Sequence, residues 1–321
     1  MAGEFDLIRR YAPPGASRSD VLLGSGDDAA LLEVPVGKVL VATVDTLVAG
    51  RHFPLQTPAY DVGWKALAVN LSDLAAMGAE AAWVTVALTL PNDEQTKRDA
   101  WMRDFTAGIQ ALAEQSGVAV VGGDLTAGPL SITVQALGFV APSAALRRDM
   151  AKPGDVIAVT GSLGDAALAL HLQEAGQPVA DDLLKRLNQP MPRLKAGLAL
   201  AGKAHAAIDL SDGLAGDLQH ILRASAVGAR IEVGTVPLSA SFLACCPPAL
   251  AQQLPFMGGD DYEICFCMTP QVFAWAQENL DVPLTAIGTV CEAPGLAFVN
   301  EAGQIINMPG SGYDHFSDSG C

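Results

Sequence analysis

Apolar positions recur along this chain at two spacings, and most of the predicted elements follow from them. From Lys65 to Gly78 the stretch KALAVNLSDLAAMG sets Leu67, Leu71 and Leu74 at steps of three and four, one face of a helix. Asn70, Asp73 and Met77 fall on the neighbouring face, so a carboxylate lies beside the core-facing stripe. Over Ala82–Leu90, Trp83, Thr85 and Ala87 alternate with Val84, Val86 and Leu88, which predicts a strand. Pro91-Asn92-Asp93-Glu94 starts a helix that runs to about Ser116. Further strands are predicted over Val39–Val44, Val118–Val121, Leu130–Val140, Val156–Thr160, Ala206–Leu210, Ala229–Val233, Ile264–Met268, Leu284–Val290 and Leu296–Val299. Helices are predicted over 4–11, Ala215–Ala226 and 270–280. From Leu31, LLEVPVGKVLVATVD reads as a hairpin turning at Pro35-Val36-Gly37. Alternating helices and strands define an α/β chain. The polar, Pro/Gly-bearing stretch around Arg147–Asp155 divides it into domains 1–149 and 150–321.

Composition agrees with that division, since 321 residues exceed the usual size of one core. Half the residues are hydrophobic and only 17% are charged, which specifies a globular chain with ample interior. The net charge of -16 repels nucleic acid and anionic membrane surfaces, so neither is expected as a partner. A phosphate ligand is admissible only if divalent cations bridge it to the carboxylates. The opening MAGEFDLIRRY has no apolar secretory core, and no apolar run reaches the roughly 18 residues of a membrane span. The cysteines (Cys245, Cys246, Cys265, Cys267, Cys291, Cys321) lack CxxC spacing and read as reduced thiols of a cytoplasmic protein.

Two glycine motifs mimic nucleotide sites and fail on context. Gly24-x-Gly26-x-x-Ala29 has dinucleotide-fingerprint spacing, with Asp45 where a ribose acid would stand, but no helix follows it. Gly197 to Gly202-Lys203 has P-loop spacing, but Ala204 replaces the hydroxyl residue and no strand precedes it. More informative are the recurring Gly/Asp motifs: Gly26-Asp27-Asp28, Asp45 after a strand, Gly122-Gly123-Asp124, Asp209-Leu210-Ser211-Asp212-Gly213 and Gly258-Gly259-Asp260-Asp261. Each has a local explanation as a turn, or, for Ser211 or Asp212, as the N-cap of the next helix. His52 reads equally as a loop polar residue or a ligand, and Arg147-Arg148 as a solvated pair or a phosphate contact. Several aspartates close to strand ends, without Cys/His clusters, select hard cations, chiefly Mg²⁺, and with them a polyphosphate such as ATP.

GDDAA at Gly26–Ala30, VDTLVAGRHF at Val44–Phe53, KALAVNLSDLAAMGA at Lys65–Ala79, GGDLT at Gly122–Thr126, IDLSDGL at Ile208–Leu214 and GGDDYE at Gly258–Glu263 resemble, in order, the thiamine-monophosphate kinase family. The resemblance implies ATP-dependent phosphorylation of thiamine monophosphate to thiamine diphosphate. It also implies a two-domain PurM-like α/β (α+β) architecture, whose N-terminal sheet pairs across a homodimer and whose C-terminal α/β domain completes the site. By the same resemblance the metal ligands are Asp28, Thr43, Val44, Asp45, Asp73, Asp124, Asp209 and Asp212. The ATP contacts are Gly123, Asp124, Arg148 and Ser211, and the substrate contacts are His52, Asp260 and Tyr313. Val44 and Asp260 stand where many family members have Thr and Glu. The expected chemistry is in-line attack on the γ-phosphorus, with metals held by Asp45, Asp73 and Asp124 and no side chain as general acid or base. Two alternatives are a selenophosphate synthetase-type enzyme of the same fold, which would need a reactive cysteine near the N-terminus, and a non-catalytic divalent-cation-binding protein.

Overall fold

The computed structural model describes residues 18–92 and 95–306, so Tyr313 and the helix expected over 4–11 lie outside the described residues. The chain forms two compact units. One takes the chain to Leu74 and Ala79–Ser143, and the other takes Ala75–Gly78 and the chain from Ala144.

The first unit begins with a two-stranded ribbon, β1 (Val21–Leu23) against β2 (Leu31–Leu32). It continues through β3 (Val39–Val48), α1 (Ala59–Ala76), β4 (Glu80–Leu90), α2 (Gln95–Ser116), β5 (Ala119–Ala127) and β6 (Ser131–Val140). The four longer strands make one sheet in the order β3-β6-β4-β5. Only β4 and β5 run parallel, joined by α2 as such a pair requires. The predicted stripe of α1 is the core of this unit, with Leu67, Leu71 and Leu74 fully buried. Glycines let α1 and α2 touch backbone to backbone. A Cβ on Gly63 would stand 2.1 Å from the Phe105 carbonyl oxygen, and one on Gly108 2.0 Å from that of Tyr60.

Three strand expectations change. Leu31–Asp45 is no hairpin, because β2 bonds back to β1 while β3 takes β6 as its partner. β3 does not stop at Val44; Thr46, Leu47 and Val48 continue its alternation, so Asp45 lies inside the strand. β5 likewise runs through Gly122-Gly123-Asp124. Gly123 is there for the ladder, since a Cβ would meet the Val86 carbonyl oxygen at 2.0 Å.

The second unit holds β7 (Val156–Thr160), α3 (Asp165–Glu174), α4 (Asp181–Asn188), α5 (Leu194–Leu200), β8 (Ala206–Asp209), α6 (Leu214–Ser225) and β9 (Gly228–Glu232). After these come α7 (Ala240–Cys245), α8 (Leu254–Met257), β10 (Ile264–Met268), α9 (Pro270–Asn279), β11 (Leu284–Cys291), β12 (Gly295–Val299) and β13 (Ile305–Ile306). Its sheet order is β13-β12-β9-β11-β7-β10-β8. The fully buried β10 shows why these strands read as continuous apolar runs. Cys265 and Cys267 pack with Leu214, Leu218 and Ile221 of α6, while Ile264, Phe266 and Met268 pack with Leu200 of α5 and Ala276 of α9. The P-loop look-alike begins in α5 and ends in the turn after it. There Gly197 serves packing, because a Cβ would meet the Ala75 carbonyl oxygen of the same unit at 2.0 Å.

Candidate active site

In the first unit the carboxylates are arranged by one seam between β3 and α1. Thr43 and Asp45, two apart on a strand, share a face, and Asn70 and Asp73, three apart on a helix, share another. The Thr43 hydroxyl donates to the Asp73 carboxylate, and the Asp45 amide donates to Asn70 Oδ1 at 3.0 Å. Asn70 is itself fully buried and donates to the Ala66 carbonyl at 3.1 Å. Asp73 is half-buried, so its helix sets its position without sealing the residue from solvent.

Sheet register separates Asp124 from this seam. Asp45 pairs with Val134, which pairs with Val86 and then Gly123. Asp124 belongs to the next row, with Ala87, Thr133 and Thr46, whose side chains point to the opposite face. Val44 is exposed on that face too, so it offers a ligand only its backbone. Asp28 is exposed, and its amide donates to Asp27 Oδ1 at 2.8 Å. His52 folds back onto the end of β3, its Nδ1 accepting from the Val48 amide at 2.9 Å. That bond puts the proton of the neutral ring on Nε2.

In the second unit two loops lie side by side. Asp209, buried, closes β8, and Leu210-Ser211-Asp212-Gly213 leads into α6. Neither Ser211 nor Asp212 caps that helix; its N-cap is Gly213, with no side-chain cap bond. Gly213 has φ 106°, and a Cβ there would crowd the Met257 carbonyl carbon at 2.8 Å. Asp217, in the first turn of α6, organises the loop from below by accepting from the Asp212 amide at 3.0 Å. Burial pushes the Asp217 carboxyl up to about 7, and the Asp212 charge adds to it. The amides of Asp212 and Ser211 and the charge of Arg148 pull the other way. Arg148 is therefore an electrostatic neighbour of this loop. Its own carbonyl is anchored by the Ser225 hydroxyl at 2.8 Å, while Arg147 is occupied by Asp149 at 2.8 Å.

The second loop is Gly258–Glu263. The amides of Asp260 and Tyr262 donate to the carbonyls of Ser211 and Leu210 at 2.9 and 2.8 Å, and the Leu210 amide donates to the Glu263 carbonyl at 2.8 Å. Gly259 permits this contact, since a Cβ would lie 2.4 Å from the Ser211 carbonyl oxygen. Asp260 and Tyr262 both adopt left-handed backbone, φ 70° and 48°, an uncommon state for residues with side chains. Between them Asp261 is buried and accepts from the Gly164 amide at 2.9 and 3.1 Å. Burial drives the Asp261 carboxyl well above its ordinary range, against the opposing charge of Arg186. Asp217, Arg186 and Arg193 do not stand out as functional in the sequence, and Asp261 belongs to a Gly/Asp motif without a role of its own there. The one available signal for Asp217 is an acid in the first turn of a helix that follows a Gly/Asp loop.

Among the described residues, no three His, Cys, Asp or Glu side chains gather so as to hold a metal ion. Mg²⁺ does not need such a cage, because it keeps several waters and takes one or two carboxylates together with substrate phosphates. The all-oxygen donors of the seam fit that habit.

These two halves correspond to known domains. Residues 26–140 match AIR synthase related protein, N-terminal domain, and residues 152–309 match AIR synthase related protein, C-terminal domain. Fold and paired Gly/Asp loops thus define a protein of the AIR synthase related class. The thiamine-monophosphate kinase of Escherichia coli strain K12 is 45% identical over 326 aligned residues, covering 98% of both chains. The crystal structure of thiamine-monophosphate kinase from Stenotrophomonas maltophilia K279a is 44% identical, with a TM-score of 0.84, covering 94% of this chain and 96% of that one. AaThiL complexed with AMPPCP and TMP is 29% identical, with a TM-score of 0.77, over 90% and 91% of the two chains. The chain belongs to the thiamine-monophosphate kinase family.

Proposed function

We propose that this protein transfers the γ-phosphoryl group of ATP to the phosphate of thiamine monophosphate, giving ADP and thiamine diphosphate. The observation that carries this reading is near-full-length identity of 45% to an enzyme of that name. Mg²⁺, when bound, supplies the positive charge that lets the acceptor phosphate approach the ATP polyphosphate. Asp45 and Asp73 are its proposed holders in the seam, with the Thr43 hydroxyl orienting Asp73. Asp28, the Val44 carbonyl and Asp124 hold further ions in the first unit, and Asp209 and Asp212 do so in the second. Gly123, Asp124, Ser211 and Arg148 are the proposed nucleotide contacts. His52, through Nε2, and Asp260 orient the acceptor, as does Tyr313 beyond the described residues.

An oxygen of the acceptor phosphate attacks the γ-phosphorus as the bond to the bridging oxygen breaks, and ADP leaves with that electron pair. The acceptor is already ionised near neutral pH, so no side chain must remove a proton. We assign residues 1–149 to ATP, metal and dimer formation, and 150–321 to the remaining nucleotide and acceptor contacts. The homodimer is supported by the open face of β3, where Leu40, Val44 and Val48 are exposed. The free cysteines among the described residues suit a reducing, cytoplasmic compartment. The test is to incubate the folded protein with ATP, Mg²⁺ and thiamine monophosphate and to separate the products. Thiamine diphosphate and ADP in equal amounts are expected; their absence would overturn the assignment.

A further inference from the structure

Beneath the Gly258–Glu263 loop lies a buried ionic cluster that the proposed chemistry does not use. Glu263 is fully buried, and both its oxygens are saturated. Oε1 accepts from Arg186 at 2.7 Å and Arg193 at 2.5 Å, and Oε2 accepts from Arg193 Nε and the Thr160 hydroxyl, both at 2.6 Å. Arg193 thus grips the carboxylate with a two-pronged fork, a geometry lysine does not offer. Arg186 also donates to the Ser162 carbonyl at 3.1 Å and lies 3.7 Å from Asp165. Burial works against its charge, but Glu263, Asp261 and Asp165 outweigh that and hold the guanidinium above its ordinary value. Room for the Glu263 carboxylate exists only because residue 161 is glycine, where a Cβ would fall 2.1 Å from Oε1.

A cluster of this kind is a poor source of stability, since well-packed apolar residues of similar volume usually do as well. What it supplies is geometry. Glu263 and Asp261 alternate with Asp260 and Tyr262, so fixing the first pair inward holds the second pair in their left-handed conformations. The Tyr262 hydroxyl, donating to Asp260 Oδ1 at 3.1 Å, completes the arrangement from the loop's other side. We infer that Arg186 and Arg193, acting through Glu263, are positioning residues that present Asp260 to the acceptor molecule. Ser211 shares backbone bonds with this loop but is braced also by Asp217, which accepts from the Ser211 and Asp212 amides, so the nucleotide side of the loop pair depends less on this clamp.

The inference rests on the reading that Asp260 meets the acceptor, and its test separates the two. Arg193→Lys keeps the charge and loses the fork. The pair Arg193→Met with Glu263→Met removes the forked link while keeping volume, and leaves Arg186 the charges of Asp165 and Asp261. Both variants are expected to raise the acceptor KM about tenfold, while the ATP KM stays within about twofold. Hydrogen exchange at the Asp260 and Tyr262 amides should accelerate by a similar factor of about ten. A role in stability alone predicts that the apolar pair restores the wild-type acceptor KM. An unchanged acceptor KM, or unchanged exchange at those amides, in either folded variant overturns the clamp. Failure of the wild-type protein to form thiamine diphosphate would overturn the functional reading, and the exchange measurement would still decide the clamp.

Discussion

Asp73 shows how one side chain acquires a role from three directions. Helical spacing sets it beside the stripe of Leu67, Leu71 and Leu74, burial of that stripe fixes the helix, and the Thr43 hydroxyl turns the carboxylate toward the strand. Asp73→Asn keeps an oxygen for Thr43, so the melting temperature should move by no more than about 1 kcal/mol of stability implies. Product formation should fall by about a hundredfold or more, because the charge proposed to bind metal is gone. Parallel melting and turnover measurements check both halves of that expectation. Asp20 is the contrasting case, a carboxylate with purely structural partners. Its hydrogen bonds from Arg18 at 2.9 Å and from Trp83 Nε1 at 3.0 Å hold its carboxyl below the ordinary value of 3.8, with the Arg18 bond the larger cause. The folded state therefore binds fewer protons than the unfolded one. Its stabilisation is complete above the unfolded value and is lost as pH falls through the lowered folded value. Asp20→Asn should lower the melting temperature near neutrality and flatten its decline below about pH 4; melting curves across that range would reveal a slope that persists.

Elements were legible to the extent that their periodicity was set by one partner surface. The α1 stripe, α2 and six of the seven strands of the second unit stand where their apolar patterns predict them, β13 being the one not foreseen. Strand ends were not legible around glycine and aspartate, residues whose local preference is for turns. In β3 and β5 a neighbouring strand supplies hydrogen bonds that override that preference, so Asp45 and Asp124 lie within the sheet. The helical glycines Gly63 and Gly108 carry no sequence cue either, because their reason lies on another element. Replacing either with Ala should cost roughly 2 kcal/mol or more, since the added methyl meets backbone that must move apart. Thermal melts of Gly63→Ala and Gly108→Ala would show this as a clear fall; an unchanged melting temperature would mean the helices do not meet this closely.

At the scale of the whole molecule, the most consequential feature is the uncovered face of β3 at a sheet edge. Leu40, Ala42, Val44, Thr46 and Val48 share it, and Leu40 and Val44 are 50% and 58% exposed. An apolar face of this kind on a long edge strand is expected to be covered by another copy of the chain. Leu40→Lys with Val44→Lys should convert a dimer to a folded monomer, read as a halved mass by light scattering with an unchanged circular dichroism spectrum. A wild-type protein already monomeric at working concentration would remove the basis for that expectation.

By itself the sequence determined the two-domain α/β organisation, the helical face that carries Asp73, and the order of Gly/Asp motifs that defines the family. Those properties rest on local spacing and residue chemistry, which survive in a one-dimensional chain. Only tertiary structure decided that Asp45 and Asp124 lie in adjacent rows on opposite sheet faces, that Asp217 rather than a cap braces the Ser211 loop, and that Arg186 and Arg193 clamp Glu263. The two clamp contacts join residues 77 and 70 positions apart. Their partners are chosen by register and burial, where a charge persists only if the folded chain brings it a counter-charge or hydrogen bonds.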